Sequence, residues 1–256
     1  MNSYFYKMWL PINFLVIFSF YLIYNNYINI NYFLIFCGWF LIGLLGIGVG
    51  FHRLFSHRQF ETHRIIEIIL AILGTLSAYG PIIYWISQHQ HHHKYADTDE
   101  DINNPKKGFW HSFLYWRLKK ESIKKIHIKN YCTIKAAKDP IIVFLNKHFY
   151  KIIYSAIILL ILIDFTFFIS FYLIPIFIEH NRIGILNSLS HMKFFGSYKV
   201  ANNDDNSYNN ILLGYLTLGF GWHNFHHKYP EKMINTHYWW EIDFEGIICR
   251  ALSKKE

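Results

Sequence analysis

The chain has 256 residues, of which 53% are hydrophobic, 20% are aromatic and only 16% are charged. This composition is too apolar for an ordinary soluble domain, and the length suits one sizeable domain. We attribute the formal net charge of +8 to membrane topology and attraction to anionic lipid, not to nucleic-acid binding. The three cysteines lack CxxC spacing, which argues against a disulfide scaffold and a cysteine zinc site.

The N-terminal part predicts two membrane spans. Residues 8–51 include no charged side chain, which leaves room for two helices of about 20 residues each. We place them near residues 10–27 and 32–51, with asparagines marking the turn between them. Gly46 and Gly50 have the small-xxx-small spacing that favours close helix packing.

The next apolar stretch, Ile65–Ile86, contains Glu67 and ends near Gly80-Pro81. It predicts a buried or re-entrant hairpin, because a crossing would separate two histidine clusters that flank it. The polar middle that follows has aromatic residues and then a lysine run: Lys119, Lys120, Lys124, Lys125 and Lys129. An interfacial amphipathic segment that attracts headgroup phosphates and a merely solvated charged face are both open readings.

A second apolar block predicts two more spans, near residues 149–166 and 168–190, with Asp164 close to the turn between them. The fourth span contains polar residues, including Glu179 and Arg182, which at membrane depth tend to face a site or water. Lys and Arg number 15 in residues 52–148 and seven from Met192 onward, with none in the short turns. The positive-inside rule therefore places both termini and a cap formed by residues 52–148 and 192–256 in the cytoplasm.

Three histidine clusters carry the chemistry. His89, His92 and His93 form HxxHH, and His223, His226 and His227 repeat that spacing. On a helix these positions share a face, so three imidazoles can point into one cavity, while His91 falls on another face. His52 and His57 are five residues apart, which suits a helix end where the backbone can bend.

Neutral imidazole is a good ligand for iron, copper, nickel and zinc. A structural zinc ion normally takes four ligands, so eight or nine histidines imply two metal ions. Two ions at the membrane surface above an apolar bundle indicate redox chemistry on a hydrophobic substrate.

Four stretches resemble the membrane fatty acyl desaturases, in particular the acyl-CoA delta-9 (stearoyl-CoA desaturase-like) branch, with boxes closer to bacterial members. The matching segments are HRLFSH at His52–His57, WISQHQHHHKY at Trp85–Tyr95, NSLSH at Asn187–His191 and GWHNFHHKYP at Gly221–Pro230. With the span pattern, the resemblance covers nearly the whole chain. It implies an all-α integral membrane protein, residues 1–256 as one domain, with four transmembrane helices and a cytoplasmic helical cap.

The resemblance also implies a non-haem centre of two iron ions. Asn187 would hold an iron-bound water. Nine histidines would bind the iron ions: His52, His57, His89, His92, His93, His191, His223, His226 and His227. Gln88 and Gln90 depart from the family pattern close to these ligands and could alter their orientation.

By the resemblance, the protein uses O2 and electrons from an external carrier, cytochrome b5-like or ferredoxin-like, to insert a cis double bond. The substrate would be a saturated fatty acyl-CoA or acyl lipid, with delta-9 the expected position. No catalytic side chain beyond the metal centre is needed. Phe40 and Leu44 on the second span would limit chain length, and Gly184, part of an Ile183-Gly184 pair that departs from the family, would shape the tunnel.

Three other readings stay open at this point: a di-iron hydroxylase or sterol oxidase, a non-catalytic membrane metal-binding protein or transporter, and an inactive homologue. The resemblance at HRLFSH and NSLSH favours desaturation over hydroxylation. The polar candidates cluster at one edge of the membrane, which disfavours a transport path, and all the ligand positions are intact. The membrane would be the endoplasmic reticulum in a eukaryote or the inner membrane in a bacterium.

Overall fold

The computed structural model describes residues 4–119 and 134–254, and most of their regular structure is helical. The described α-helices are α1 (Leu10–Tyr24), α2 (Tyr32–Trp39), α3 (Arg64–Leu76), α4 (Ile82–Tyr95), α5 (Trp116–Leu118), α6 (Ile134–Lys138), α7 (Pro140–Lys147), α8 (Phe149–Ile163), α9 (Phe165–Phe167), α10 (Ile174–Leu189), α11 (Ile211–Leu216), α12 (His223–Lys228) and α13 (Phe244–Leu252). Among the described residues, four π-helical stretches continue or connect the α-helices: Phe5–Trp9, Phe40–Ser56, His111–Tyr115 and Phe168–Leu173. One 3₁₀ turn spans Pro105–Lys107. A small antiparallel sheet pairs β1 (Ser197–Tyr198) with β2 (Asn209–Asn210).

Two helices are long and apolar enough to cross a membrane, Tyr6–Tyr24 and Tyr32–Ser56. They correspond to the first two expected spans, although the first ends three residues earlier, at Tyr24 instead of residue 27, and the second continues past residue 51 to Ser56. Asparagines form the turn between them. Asn26 takes a left-handed φ of 58°, and the Asn31 side chain accepts a hydrogen bond from the Leu34 N–H at 3.1 Å, which caps α2.

The second of these helices packs closely on α3 through its glycines. A Cβ atom added at Gly46 would lie 2.6 Å from the backbone of Leu73 and Gly74, and one added at Gly50 would lie 3.1 Å from the Leu70 carbonyl oxygen. The small-xxx-small prediction is therefore confirmed, and α3 is the partner of that face.

The stretch expected to be a hairpin forms two short helices, α3 of 13 residues and α4 of 14 residues. Each is about 20 Å long, shorter than the roughly 30 Å hydrocarbon core. The turn between them contains Ala78 with φ of 57° and Gly80 with φ of 144°. The hairpin returns the chain so that the histidines at the end of α4 meet those at the end of the second helix.

The third expected span begins with α8, which meets the preceding helix α7 at a bend of 70°; only the two together are long and apolar enough for one span. The Asp164 side chain then accepts a hydrogen bond from the Phe167 N–H at 2.6 Å and starts the next helix. That helix runs without interruption over residues 165–189. By length and composition, the described residues thus contain two candidate spans, or three with the bent pair.

The charged residues of residues 165–189 form buried ion pairs. Arg182 pairs with Glu179 at 2.9 Å and with Glu245 at 3.1 Å, and these side chains are at most 6% exposed. Glu245 also pairs with Arg53 at 3.3 Å. Buried ion pairs therefore fasten the C-terminal segment to both the second helix and α10.

Of the expected interfacial lysine run, only Lys119 belongs to the described residues, and it is exposed. The other four lysines lie outside them.

Candidate metal centre

His52 and His57 come together because the second helix is π-helical from Phe40 onward. On an α-helix, residues five apart are separated by about 140° around the axis, so a bend was expected. The structure instead continues as a π-helix over Phe40–Ser56, and the His57 N–H donates to the His52 carbonyl oxygen at 3.1 Å. This wider turn places the two imidazole centroids 4.9 Å apart, a use of π-helical geometry typical of functional sites.

The two HxxHH triads lie on helices, α4 and α12, as predicted. Each triad, however, divides between two groups of side chains instead of filling one cavity. On α4, His89 and His93 lie in one group and His92 lies in the other. On α12, His226 lies with His89 and His93, whereas His223 and His227 lie with His92. Residues i and i+4 are about 40° apart around a helix but i+3 and i+4 are about 100° apart, which explains the division.

The nine predicted histidines form two clusters, which we call the five-histidine group and the four-histidine group. Their members are His52, His57, His89, His93 and His226 in the first, and His92, His191, His223 and His227 in the second. His191 follows the end of α10 and completes the second group. Within each group the potential ligand atoms lie within 4.8 Å of one another, a spacing that could hold a metal ion.

The Nε2 atoms converge within each group. The close Nε2–Nε2 pairs are His57–His89 at 2.8 Å, His52–His226 at 3.0 Å, His93–His226 at 3.2 Å and His191–His223 at 3.1 Å. The two groups adjoin, because the rings of His93 and His227 stack with centroids 4.3 Å apart. Two metal sites in these groups would therefore be neighbours, separated by the stacked rings of His93 and His227.

Burial keeps at least four of these imidazoles neutral. Desolvation, followed by repulsion from neighbouring imidazoles, lowers the pKa of His89, His93, His223 and His226 well below 6.5. At neutral pH they consequently offer lone pairs, the form in which imidazole binds a metal ion.

The four-histidine group fits a metal ion in a second respect. Three of its imidazoles pair through Nδ1 with carboxylates: His92 with Asp101 at 3.2 Å, His191 with Asp97 at 2.9 Å and His227 with Asp205 at 2.8 Å. A ring that donates from Nδ1 keeps its lone pair on Nε2. The Nε2 atoms of His92 and His227 are buried and have no hydrogen-bond partner among the described residues. A cation would satisfy both atoms.

Sequence reasoning missed the three aspartates. Asp97 and Asp101 belong to the acidic DTDED run directly after α4, and Asp205 belongs to NNDD before β2. Such runs are usually solvated loops, and only the folded chain shows that these carboxylates face imidazoles. Asn235 was missed as well; its side-chain amide lies 3.4 Å from His226 Nδ1.

The remaining predicted residues lie nearby. The Gln90 side chain donates to the Ser56 carbonyl oxygen at 2.8 Å and joins α4 to the end of the second helix, and Gln88 is buried. His91 belongs to neither histidine group; its ring lies 4.8 Å from that of Tyr95. Asn187 lies one turn before His191, and its carbonyl oxygen accepts from Ser112 Oγ at 2.7 Å.

The expected tunnel residues belong to the helices around this centre. Leu44 is 1% exposed and lies in the π-helix, whereas Phe40 is half-buried and packs near Phe36, with ring centroids 6.1 Å apart. Gly184 lies against Phe113, whose ring would be 2.8 Å from an added Cβ atom. Phe113 lines a cavity of about 100 Å³ together with Arg117 and His180. Leu44, Phe40 and Gly184 do not line this cavity, so their roles stay predictions.

Comparison with known proteins matches residues 30–244 to a family model described as fatty acid desaturase. One similar protein is an sn-1 stearoyl-lipid 9-desaturase of Anabaena variabilis, 35% identical over 213 residues, which cover 83% of this chain and 76% of that protein. Another is an sn-2 palmitoyl-lipid 9-desaturase of a Nostoc species, 33% identical over 215 residues, or 82% of this chain and 73% of the relative. A probable acyl-CoA desaturase of Schizosaccharomyces pombe is 32% identical over 208 residues, or 78% of this chain and 42% of that protein.

Proposed function

The chain belongs to the fatty acid desaturase family and is an oxidoreductase that desaturates fatty acyl chains, and we propose the site, cofactor and topology with which it does so. The double bond is cis and at the delta-9 position of a saturated acyl-CoA or acyl lipid. The relatives support this position, because the two cyanobacterial proteins are named 9-desaturases. The observation that carries the proposed site is the convergence of nine imidazoles into two adjoining groups.

Two iron ions would be held by these groups, one by the five-histidine group and one by the four-histidine group. Nitrogen-only donor sets suit iron among other metals, and redox chemistry on an unactivated methylene requires a redox-active ion. Asn187 would hold a water at the four-histidine group, which has one imidazole fewer than the other group. When bound, the iron pair supplies the oxidising power by which O2, two electrons and two protons convert a –CH2–CH2– unit to –CH=CH– with release of two waters.

The protein's own residues fix geometry and exclude water. The carboxylates behind His92, His191 and His227 hold those rings in one tautomer and orientation. The Trp85 indole stacks on His89 with ring centroids 5.0 Å apart and interplanar angle 21°, and it is 4% exposed. Such contacts prevent ring rotation and keep the centre dry.

We further propose four transmembrane helices, near residues 10–27, 32–51, 149–166 and 168–190. The apolar helices already described support membrane association. Residues 52–148 and 192–256 form a cytoplasmic cap, and both termini are cytoplasmic, because Lys and Arg concentrate in those segments. This places the histidine groups on the side from which a cytochrome b5-like or ferredoxin-like carrier delivers electrons one at a time.

We propose that residues of the second helix, together with Gly184, select the length of the acyl chain that the enzyme accepts. Leu44 is almost fully buried, so Leu44→Ala removes about three carbons of bulk from the interior. We expect the preferred substrate to lengthen, with Phe40→Ala giving a weaker change in the same direction because Phe40 is less buried. Gas chromatography of the products measures both, and an unchanged product spectrum would remove these residues from the tunnel.

The test of function is gas chromatography of fatty acids from a desaturase-deficient host that expresses the chain. We expect new monounsaturated acids with the wild type and none with His92→Ala or His226→Ala, one variant for each histidine group. His63→Ala is the matched control, because His63 is exposed and lies outside both groups.

Double-bond position and the lipid class that contains the product identify the regiochemistry and acyl carrier in the same experiment. Hydroxylated acids in place of monounsaturated acids would contradict desaturation and favour the hydroxylase reading. Purified protein without bound iron would contradict the di-iron assignment.

A further inference from the structure

The two histidine groups differ in the side chains behind their imidazoles. In the four-histidine group, three of the four rings face a carboxylate through Nδ1: His92, His191 and His227. Among residues 4–119 and 134–254, the histidine–carboxylate ion pairs of the two groups all belong to the four-histidine group. The two sites are therefore electrostatically unequal.

The three carboxylates are themselves held in place. Asp101 accepts from the N–H groups of Asp97 and Asn103 at 3.0 and 3.1 Å. Asp97 also accepts from the Asn206 N–H at 2.7 Å, and Asp205 accepts from the Ser207 N–H at 2.9 Å. Because these backbone donors hold the carboxylates in place, each aspartate faces its imidazole in a fixed position.

The five-histidine group has a different surround. Asn235, a neutral amide, is the side chain at His226 Nδ1. In the orientation that satisfies its amide, the Asn235 nitrogen donates to the Lys232 carbonyl oxygen at 3.2 Å and the Asn235 oxygen accepts from Arg53 Nη2 at 3.1 Å. Arg53 follows His52 directly and is a buried cation that pairs with Asp243 and Glu245. This group gains a fifth neutral donor, but no described carboxylate forms an ion pair with its imidazoles.

A carboxylate behind a histidine ligand fixes its tautomer and increases its basicity, and loss of one such partner typically weakens metal binding about 10–100-fold. Three carboxylates also supply negative charge in a buried place, where Coulomb attraction to a divalent ion is poorly screened. A fifth imidazole adds one donor atom but no charge.

We propose that the four-histidine group is the high-affinity metal site and takes up the first ion, and that Asp97, Asp101 and Asp205 are the positioning residues that make it so. The five-histidine group then binds the second ion more weakly. This inference rests on the proposed binding of metal by the nine histidines.

The test is a metal titration of the full-length protein in detergent after removal of metal by a chelator. Co²⁺ is the probe, because its visible absorption reports coordination, and a competing chromophoric chelator reports the dissociation constants. The wild type should show two classes of site. Asp101→Asn and Asp205→Asn should each weaken the tight class at least about tenfold and leave the weak class unchanged.

Two matched variants sharpen the assignment. Asp204→Asn removes an equal charge beside Asp205, but Asp204 is exposed, so both classes should keep their wild-type affinities. Asn235→Ala should weaken only the weak class. Asp205→Glu should restore most of the tight affinity that Asp205→Asn loses, and size-exclusion chromatography with circular dichroism checks that every variant is folded.

Equal affinities at the two sites of the wild type would overturn the proposal, as would a folded Asp205→Asn protein in which both classes weaken together. These outcomes are separate from the proposed function. A protein that binds two Co²⁺ ions with the expected inequality but yields no unsaturated product supports this inference and contradicts the function, whereas an active desaturase with two equal sites does the reverse.

Discussion

Arg53 shows how a single buried charge is tolerated beside the metal centre. It donates to Asp243 at 2.8 Å, to Glu245 at 3.3 Å, to Gln59 at 3.2 Å and to the Met233 carbonyl oxygen at 2.7 Å. These hydrogen bonds satisfy the guanidinium donors and so offset the free-energy cost of removing the guanidinium from water. The same contacts hold the C-terminal segment against the helix that supplies His52 and His57.

We predict that Arg53→Met destabilises the protein by about 3–5 kcal/mol, because two buried carboxylates lose a cation. Arg64→Met is the matched control. Arg64 also pairs with two acids, Glu67 and Asp139, but its side chain is 47% exposed, so its loss should change stability by at most about 1 kcal/mol. Denaturant unfolding in detergent measures both variants, and shifts of equal size would refute the buried-network argument.

At the scale of elements, the second helix depends on close approach to α3. An alanine at Gly46 would push its Cβ atom to 2.6 Å from the backbone of α3, whereas at Gly50 the nearest atoms lie at 3.1–3.2 Å. Backbone cannot rotate away as a side chain can, so the two helices must separate at Gly46.

We therefore predict that Gly46→Ala destabilises by about 1–3 kcal/mol and lowers metal content, since the helix also carries His52 and His57. Gly50→Ala should have a clearly smaller effect on both. Thermal unfolding and metal analysis of the purified variants provide the comparison. Identical behaviour of the two variants would mean that the helix contact is looser than described.

These elements show what the sequence could predict. Uncharged runs, asparagine turns and glycine spacing are local signals, so the first two helices, their turn and the Gly46–Gly50 face were predictable from residues close in the chain. The HxxHH spacing likewise predicted the helices of α4 and α12, and with the resemblance it predicted which nine histidines gather. The division of each triad was not predicted; the angles around a single helix permit it, but which other histidines complete each group depends on where the facing helices lie.

Other features were beyond local signals. No residue type specifies the π-helix that brings His52 and His57 together. Its geometry depends on packing against α3 and the C-terminal helix, α13. Glu179 and Arg182 were expected to face a site or water, but their partners include Glu245, 63 residues beyond Arg182 in the chain. Asp97, Asp101 and Asp205 resemble any solvated acidic loop until the fold places them behind imidazoles.

At the scale of the whole molecule, the two histidine groups join four segments that are far apart in the chain. The five-histidine group draws on the second helix, α4 and α12, and the four-histidine group on α4, the end of α10 and α12. Bound metal ions would therefore cross-link the cap to the helices.

Removal of metal should therefore lower the unfolding temperature of the whole protein. A ligand present at 100 times its dissociation constant stabilises the folded state by about 2.7 kcal/mol for each site. We predict that chelation lowers the melting temperature in detergent and that readdition of Fe²⁺ under anaerobic conditions restores it. The metal-dependent increment should be retained in His63→Ala and reduced in His226→Ala, because only His226 belongs to a histidine group. Equal increments in these two variants, or a melting temperature that does not respond to metal, would show that the nine histidines do not fasten the fold through metal.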